Sequence, residues 1–97
     1  MTFNPDKIDK LIHEPARLHI LTHLYVVTDA DFVYLKRATG LTPGNLSTHL
    51  TKLETAGFID ITKAFEGKRP KTTLKLTPKG RKALENYRKN ILDVLGP

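Results

Sequence analysis

The chain has 97 residues, enough for one small hydrophobic core, and contains no cysteine. The missing cysteines exclude disulfide frameworks, thiolate nucleophiles and cysteine zinc sites. No apolar run approaches the ~20 residues that cross a bilayer, so we expect a single domain over residues 1–97 that is soluble and cytoplasmic. The net charge of +6 points to an anionic partner.

The first third of the chain predicts two helices. Asn4 to Asp6 supply an N-cap and a first-turn proline, which predicts a terminal helix over about residues 5–13. Its apolar face carries Ile8, Leu11 and Ile12. Glu14-Pro15 then interrupts the pattern and begins a second helix, predicted to end near Thr28-Asp29. The apolar stripe of this core helix is formed by Ala16, Ile20, Leu21 and Leu24.

Two further helices are predicted before residue 58. Residues 31–38 form a brief extended entry into a short helix that Gly40 closes. Thr42-Pro43 carries the signals of a helix start, an N-cap hydroxyl followed by a proline. Leu46, Leu50 and Leu53 follow at i, i+4 and i+7, and Gly57 ends the helix.

The exposed positions of this helix hold small polar residues, which are mediocre helix formers. A helix in the DNA major groove must bring its backbone close to base edges, so low bulk with donors and acceptors suits that role. Asn45 is a candidate for reading adenine, Lys52 for a phosphate, and His49 for packing, a phosphate or a base. The candidate DNA-binding residues of this recognition helix are Thr42, Gly44, Asn45, Ser47, Thr48, His49, Thr51 and Lys52.

The last third predicts a hairpin and a helix. Residues 58–62 and 73–76 alternate between apolar and polar side chains, and a polar tip at 66–71 joins these two strands. Thr77-Pro78 repeats the helix-start signal and predicts a terminal helix over about residues 78–95. A helix-turn-helix followed by a hairpin is a winged helix-turn-helix. The predicted fold class is therefore mainly α with a small β-hairpin (α+β).

The positive charge is concentrated in residues 63–82, which hold eight Lys and Arg against one Glu. This segment carries the whole positive excess, which favours a polyanion such as nucleic acid. Gly67 permits a turn at the tip of the hairpin and Pro70 stiffens its exit. The candidate DNA-binding residues of the wing and its flanks are Lys63, Lys68, Arg69 and Lys71. A basic, solubilising loop is the alternative.

Four segments together resemble small winged-helix transcriptional regulators of the MarR and ArsR types, in the compact single-domain form of archaea and bacteria. The segments are Phe32–Leu41, Leu46–Ile59, Phe65–Thr72 and Leu76–Arg81. They occur in this order over roughly half of the chain. The resemblance implies a homodimer on a pseudo-palindromic operator, with the terminal helices in the dimer contact, and it implies no particular small-molecule effector.

The terminal helices carry more apolar surface than a 97-residue core readily covers, which favours pairing of two chains. The alternative is that these helices pack only on their own core. Two recognition helices about one duplex turn apart, ~34–36 Å, then read matching half-sites. The candidate dimer-contact residues are Ile8, Leu11, Ile12, Leu84, Tyr87, Ile91, Leu92 and Leu95.

Other functions have weaker support in the sequence. His13, His19 and His23 raise a metal hypothesis, but the spacing is permissive and no third helical ligand is evident, so we expect no metal and no cofactor. The chain lacks a phosphate-binding glycine loop, a nucleophile elbow and an HExxH motif, so we expect no enzyme. The expected partners are double-stranded DNA and a second copy of the chain. The alternative function is a winged-helix module that binds protein or RNA in a larger assembly.

Overall fold

The computed structural model describes residues 4–96 and contains four α-helices and one three-stranded antiparallel sheet. The elements in chain order are a 3₁₀ turn at Pro5–Lys7, α1 at Pro15–Val26, β1 at Ala30–Asp31, α2 at Phe32–Thr39, α3 at Pro43–Thr55, β2 at Ile59–Glu66, β3 at Arg69–Leu76 and α4 at Pro78–Leu95. The sheet order is β1-β3-β2. This arrangement confirms the predicted α+β winged-helix fold.

Side-chain caps start the helices where the sequence predicts. Thr42 accepts a hydrogen bond from the backbone N–H of Asn45 at 3.2 Å, and Thr77 accepts one from Gly80 at 2.9 Å. Each threonine satisfies an N–H group that has no partner within its helix. Gly40 ends α2 in the left-handed conformation, with φ at +70°, as predicted.

The core joins the apolar stripes of α1 and α3 to the inner face of the sheet. The predicted stripe of α3, Leu46, Leu50 and Leu53, is buried. The other fully buried large side chains are Ile12, Ile20, Leu21, Leu24, Leu35, Ile59 and Leu74. Burial of these side chains fixes α3 with its polar face outward.

The terminal helix predicted over residues 5–13 is shorter than expected, because only the single turn Pro5–Lys7 is helical. The Asp9 carboxylate accepts hydrogen bonds from the N–H groups of Leu11 at 2.9 Å and Ile12 at 3.3 Å. This local side-chain turn competes with helix propagation. Ile12 is nevertheless completely buried in the core.

The hairpin tip is also tighter than predicted. The expected polar loop at 66–71 is largely strand, and only Gly67-Lys68 forms the turn between β2 and β3. Gly67 has φ at +66°, whereas Lys68, like every non-glycine residue among residues 4–96, does not have positive φ. A positive φ at the first central position alone is the pattern of a type II′ turn. Pro70 pairs with Phe65, next to the pair Glu66 and Arg69 that closes the turn. In a two-residue hairpin this second pair exchanges no hydrogen bonds, so the missing N–H of proline leaves no ladder hydrogen bond unmade.

The two-residue strand β1 completes the sheet. Ala30 pairs with Leu74, and Asp31 pairs with Thr73. The outer half of β3 therefore has only β2 as a neighbour, and this two-stranded arm is the wing. Between residues 4 and 96, no helix is long and apolar enough to span a bilayer.

Candidate nucleic-acid interface

The outer face of α3 carries the predicted recognition residues. The buried leucine stripe faces α1 and the sheet, which leaves the other side of the helix in solvent. The exposed residues from the predicted set are Thr42, Gly44, Asn45, Ser47, Thr48, Thr51 and Lys52. His49 is half-buried at the edge of this face. The helix thus presents a continuous polar surface of low bulk.

Hydrogen bonds within α3 determine what two of these hydroxyls can offer a ligand. Thr48 Oγ1 donates to the Gly44 carbonyl at 3.0 Å, so its oxygen lone pairs and methyl group remain outward. Thr42 Oγ1 instead accepts from the backbone, so its own proton is free to donate. An ideal Cβ on Gly44 would meet no atom within 4 Å, which means that open space surrounds this turn.

His49 connects the recognition helix to the start of α1. Its Nδ1 lies 3.2 Å from Nη1 of Arg17 and 3.7 Å from Oε2 of Glu14. Arg17 is buried, and its Nε donates to the Leu11 carbonyl at 2.6 Å. The arginine thus joins the segment before α1 to α3, and no function was predicted for it. Its place in the stripe of α1, three residues before Ile20, was the only available signal.

Glu14 completes this cluster. Its side chain caps α1 by accepting from the Arg17 N–H at 2.8 Å. Burial raises the pKa of the Glu14 carboxyl, but hydrogen bonds from the Arg17 and Ala16 backbone and the positive charge of Arg17 outweigh it, so the pKa lies below its usual value. The carboxylate therefore stays charged beside Arg17.

The wing carries the predicted basic residues on an exposed arm. Lys63, Lys68 and Arg69 are exposed. Lys71 is also exposed, but its Nζ lies 3.1 Å from the Glu66 carboxylate across the hairpin. This hydrogen bond and the negative charge of Glu66 raise the pKa of Lys71. Lys71 is therefore already partly neutralised.

Strand alternation puts an apolar pair on one face of the wing. Phe65 and Pro70 pair across β2 and β3, on the same face as Lys63. Phe65 is 75% exposed, more than any other phenylalanine or tyrosine of the described residues. No function was predicted for this phenylalanine.

The structure divides the predicted dimer-contact residues into three groups. Ile12, Leu84 and Tyr87 are buried within the chain itself. Ile8, Leu11 and Ile91 are half-buried and pack on that core. Leu92 and Leu95, on the last turns of α4, are 50% and 73% exposed.

An apolar groove of about 640 Å³ lies between α1 and α4. Tyr25 stands at its wall, where its hydroxyl donates to Glu85 at 2.8 Å and the Arg81 guanidinium lies 4.5 Å from its ring centroid. Val26, beside it, is 83% exposed. The residues lining the groove are Leu18, Thr22, Tyr25, Val26, Leu84, Glu85, Tyr87, Arg88, Ile91 and Leu92.

The three histidines of the metal hypothesis do not form one cluster. Nε2 of His19 lies 3.0 Å from Nε2 of His23, but His13 instead contacts the Tyr87 hydroxyl at 2.7 Å through Nδ1. Within residues 4–96, no group of three or more His, Asp or Glu side chains is arranged to hold a metal ion.

Sequence comparison identifies the domain. A family model described as a winged helix DNA-binding domain matches residues 16–95. An uncharacterized protein of Methanocaldococcus jannaschii is 42% identical over 85 residues, which cover 88% of this chain and 92% of that protein. The alignment therefore spans nearly the whole of both chains.

Solved structures agree with this family. The transcriptional regulator homologue protein of Pyrococcus horikoshii OT3 superposes with a TM-score of 0.82 at 28% identity, over 88% of this chain and 84% of that chain. A protein described as a MarR-family transcriptional regulator from Enterococcus faecalis V583 gives a TM-score of 0.70 at 24% identity, over 87% of this chain and 74% of that one. The second likeness concerns the fold alone.

Proposed function

The chain belongs to the winged helix DNA-binding domain family and shares the fold of a transcriptional regulator homologue, and we propose that it acts as a sequence-specific homodimer on double-stranded DNA. In this proposal α3 enters the major groove and the wing lies along the flanking backbone or minor groove. The observation that carries the proposal is the exposed, slim polar face of α3, in the same domain as a basic arm.

The chemistry of α3 supports contact with base edges. Asn45 carries both a donor and an acceptor, the pair that reads adenine in the major groove. Thr48 presents a methyl group and an acceptor oxygen, because its proton is donated to Gly44. Ser47 and Thr51 flank them with short hydroxyl side chains. Lys52 is long enough to reach a phosphate beside the groove.

The charge of the wing supports contact with the DNA backbone. Lys68 occupies the turn and Arg69 follows it, so both project from the end of the arm. Lys63 lies further back on β2 and adds positive charge along the same element. Phosphate contacts of this kind orient a protein on the duplex without reading sequence.

The end of α4 supports a homodimer. Leu95 projects from the last turn of α4, and the groove that Leu92 lines beside Tyr25 and Val26 offers an apolar surface of the same chain. In a two-fold pair each protomer supplies both surfaces, so one contact satisfies both apolar regions. A stable interface of this type buries about 800 Å² per partner.

Selection of bound fragments from a random duplex pool, at one stated salt concentration, tests the proposal. We expect an enriched motif with two related half-sites. Asn45→Ala and Thr48→Ala should change the selected bases, whereas Thr28→Ala, an exposed threonine outside α3, should select the wild-type motif. Enrichment of no duplex, or variants with unchanged base preference, would contradict sequence reading by α3 and favour a protein- or RNA-binding module.

A further inference from the structure

We propose that Arg17 holds His49 in the tautomer that carries its proton on Nε2, so that α3 presents a neutral N–H donor to a DNA backbone phosphate. The proposal deepens the proposed function and rests on it for the phosphate. It gives a role to Arg17, a buried arginine that is not one of the candidate DNA-binding residues.

The direction of the hydrogen bond fixes the tautomer. A guanidinium group has five donors and no acceptor. Nη1 of Arg17 lies 3.2 Å from Nδ1 of His49, so Nδ1 must accept with its lone pair. A neutral imidazole carries one proton, which then resides on Nε2.

The charged groups around His49 are consistent with the neutral form. Glu14 Oε2 is the acceptor that an imidazolium would need at Nδ1, but it lies 3.7 Å away, beyond hydrogen-bond distance. That carboxylate oxygen already accepts from the Arg17 backbone at 2.8 Å. The adjacent guanidinium repels a second positive charge, and Nη1 of Arg17 is closer to Nδ1 than Glu14 is.

The position of Arg17 is itself fixed. Its side chain is buried, and Nε donates to the Leu11 carbonyl at 2.6 Å. Ile12, next to Leu11, is completely buried, so the segment that holds the arginine is anchored in the core. Arg17 is therefore a positioning residue for His49 and not a DNA contact.

Nε2 of His49 is open to a ligand. In the part of the chain that the structure describes, every buried side-chain nitrogen or oxygen has a hydrogen-bond partner, so an atom without a partner is not buried. Nε2 of His49 has no hydrogen-bond partner among those same residues, so this atom is accessible to solvent. The His49 side chain keeps 19% of its surface exposed, beside the exposed residues Asn45 and Lys52 on α3. A donor at the edge of a groove-binding helix meets a phosphate oxygen.

Long-range ¹H–¹⁵N NMR spectra of the free protein test the tautomer. We expect a protonated Nε2 and an unprotonated Nδ1 for His49, assigned by loss of its signals in His49→Gln. Arg17→Met should release this preference, and Arg17→Lys, which keeps a donor, should retain more of it. A protonated Nδ1 or a doubly protonated ring in the wild-type chain at about pH 8, where an ordinary imidazole is neutral, would overturn the proposal.

Binding to a random-sequence duplex at fixed salt tests the phosphate contact. Gln places an amide nitrogen close to the position of Nε2, whereas Asn places its amide near Nδ1. We expect His49→Asn to weaken binding about tenfold, the effect of one hydrogen bond to a charged group, and His49→Gln to stay within about threefold of the wild type.

The salt dependence separates a neutral donor from a cation. Loss of a neutral donor should leave the log–log salt slope unchanged, whereas loss of a cationic phosphate contact reduces it by about 0.9. A reduced slope in His49→Asn, or unchanged affinity in a chain that otherwise binds DNA, would overturn the proposal. Failure of the wild type to bind any duplex would instead refute the proposed function, while the NMR result would still judge the tautomer.

Discussion

Gly80 packs directly against the backbone of Phe58, which ties the start of α4 to the junction between α3 and β2. A Cβ on Gly80 would lie 2.8 Å from the Phe58 carbonyl carbon and still closer to its oxygen. The same carbonyl accepts the Thr77 N–H at 3.0 Å, and Thr77 Oγ1 donates to the Gly57 carbonyl at 2.6 Å. This close approach leaves no room for a side chain at residue 80.

We expect Gly80→Ala to destabilise the fold, because the added methyl group meets backbone atoms that cannot move alone. The loss should be about 2–3 kcal/mol, the cost of overpacking, and should lower the melting temperature by about 10–20 °C. Thermal unfolding at one protein concentration measures it.

Gly44→Ala is the matched control for that substitution. A Cβ at Gly44 meets nothing within 4 Å, and this glycine has no positive φ, so we expect no loss of thermal stability. If the two variants unfold at the same temperature, the contact between Gly80 and Phe58 does not limit stability. The Gly44 variant should nevertheless weaken DNA binding if the first turn of α3 approaches the duplex closely.

The basic residues of the wing should differ in their effect on DNA binding. Lys68→Ala and Arg69→Ala should each reduce the log–log salt slope by about 0.9, because each removes a phosphate contact. Lys71→Ala should reduce it less, since the Glu66 carboxylate at 3.1 Å already compensates that charge. Equal reductions for all three variants, measured by titration at several salt concentrations, would contradict this distinction.

Leu95→Glu and Leu92→Glu should convert the proposed dimer to a monomer, because each places a charge in an apolar contact. Size-exclusion chromatography with light scattering gives the mass of the wild type and the variants. Val33→Glu is the matched control, since Val33 is 54% exposed on α2. A wild-type chain that is monomeric at all accessible concentrations would refute the α4 contact.

Acid should destabilise the fold in part through Glu14. Its pKa is lowered in the folded state, so its contribution to stability is present above the unfolded value of 4.5 and is lost as pH falls through the folded pKa. Glu14→Gln removes this contribution, so the stability gap between the variant and the wild type should narrow below about pH 4.5.

Urea unfolding over a pH series measures the Glu14 effect. Glu54→Gln, which removes an exposed carboxylate from α3, gives the background effect of losing one negative charge. A gap between Glu14→Gln and the wild type that stays constant from neutral to acid pH would show that Glu14 acts only as a neutral cap.

Local signals were sufficient for much of the fold. Thr42 and Thr77 cap the helices that their sequences predict, and Gly40 ends α2 with positive φ. These features depend on a few neighbouring residues, so the sequence contains the information. The stripe from Leu46 to Leu53 likewise predicted which face of α3 is buried.

Features that depend on distant contacts were not predictable. The periodicity of Ile8, Leu11 and Ile12 suggested a helix, but the Asp9 side chain formed a turn instead. Leu84 and Leu95 belong to the same apolar face of α4, but Leu84 is buried and Leu95 is exposed. Only the packing of α4 on α1 decides which residues of this face are covered. The neighbours of a residue along a helix do not reveal where that helix leaves the core.

The candidate site also contains features that neighbouring residues predict and features that depend on distant contacts. The exposed face of α3 was predictable because it is the complement of the leucine stripe. Arg17 was not, because its role depends on the carbonyl of Leu11 and on the ring of His49, 32 positions further along the chain. The ion pair between Glu66 and Lys71 required the register of the hairpin, which the expected long tip concealed.

The shortness of β1 has a mechanical consequence for the basic arm. Backbone pairing supports β3 on both sides only at Thr73 and Leu74, and from Thr72 outward the arm is a two-stranded ribbon. A ribbon without a third strand twists and flexes more easily than its three-stranded root. We therefore expect the arm to pivot near Thr73 and to follow differences in groove width between target sites, while α3 stays fixed on the core.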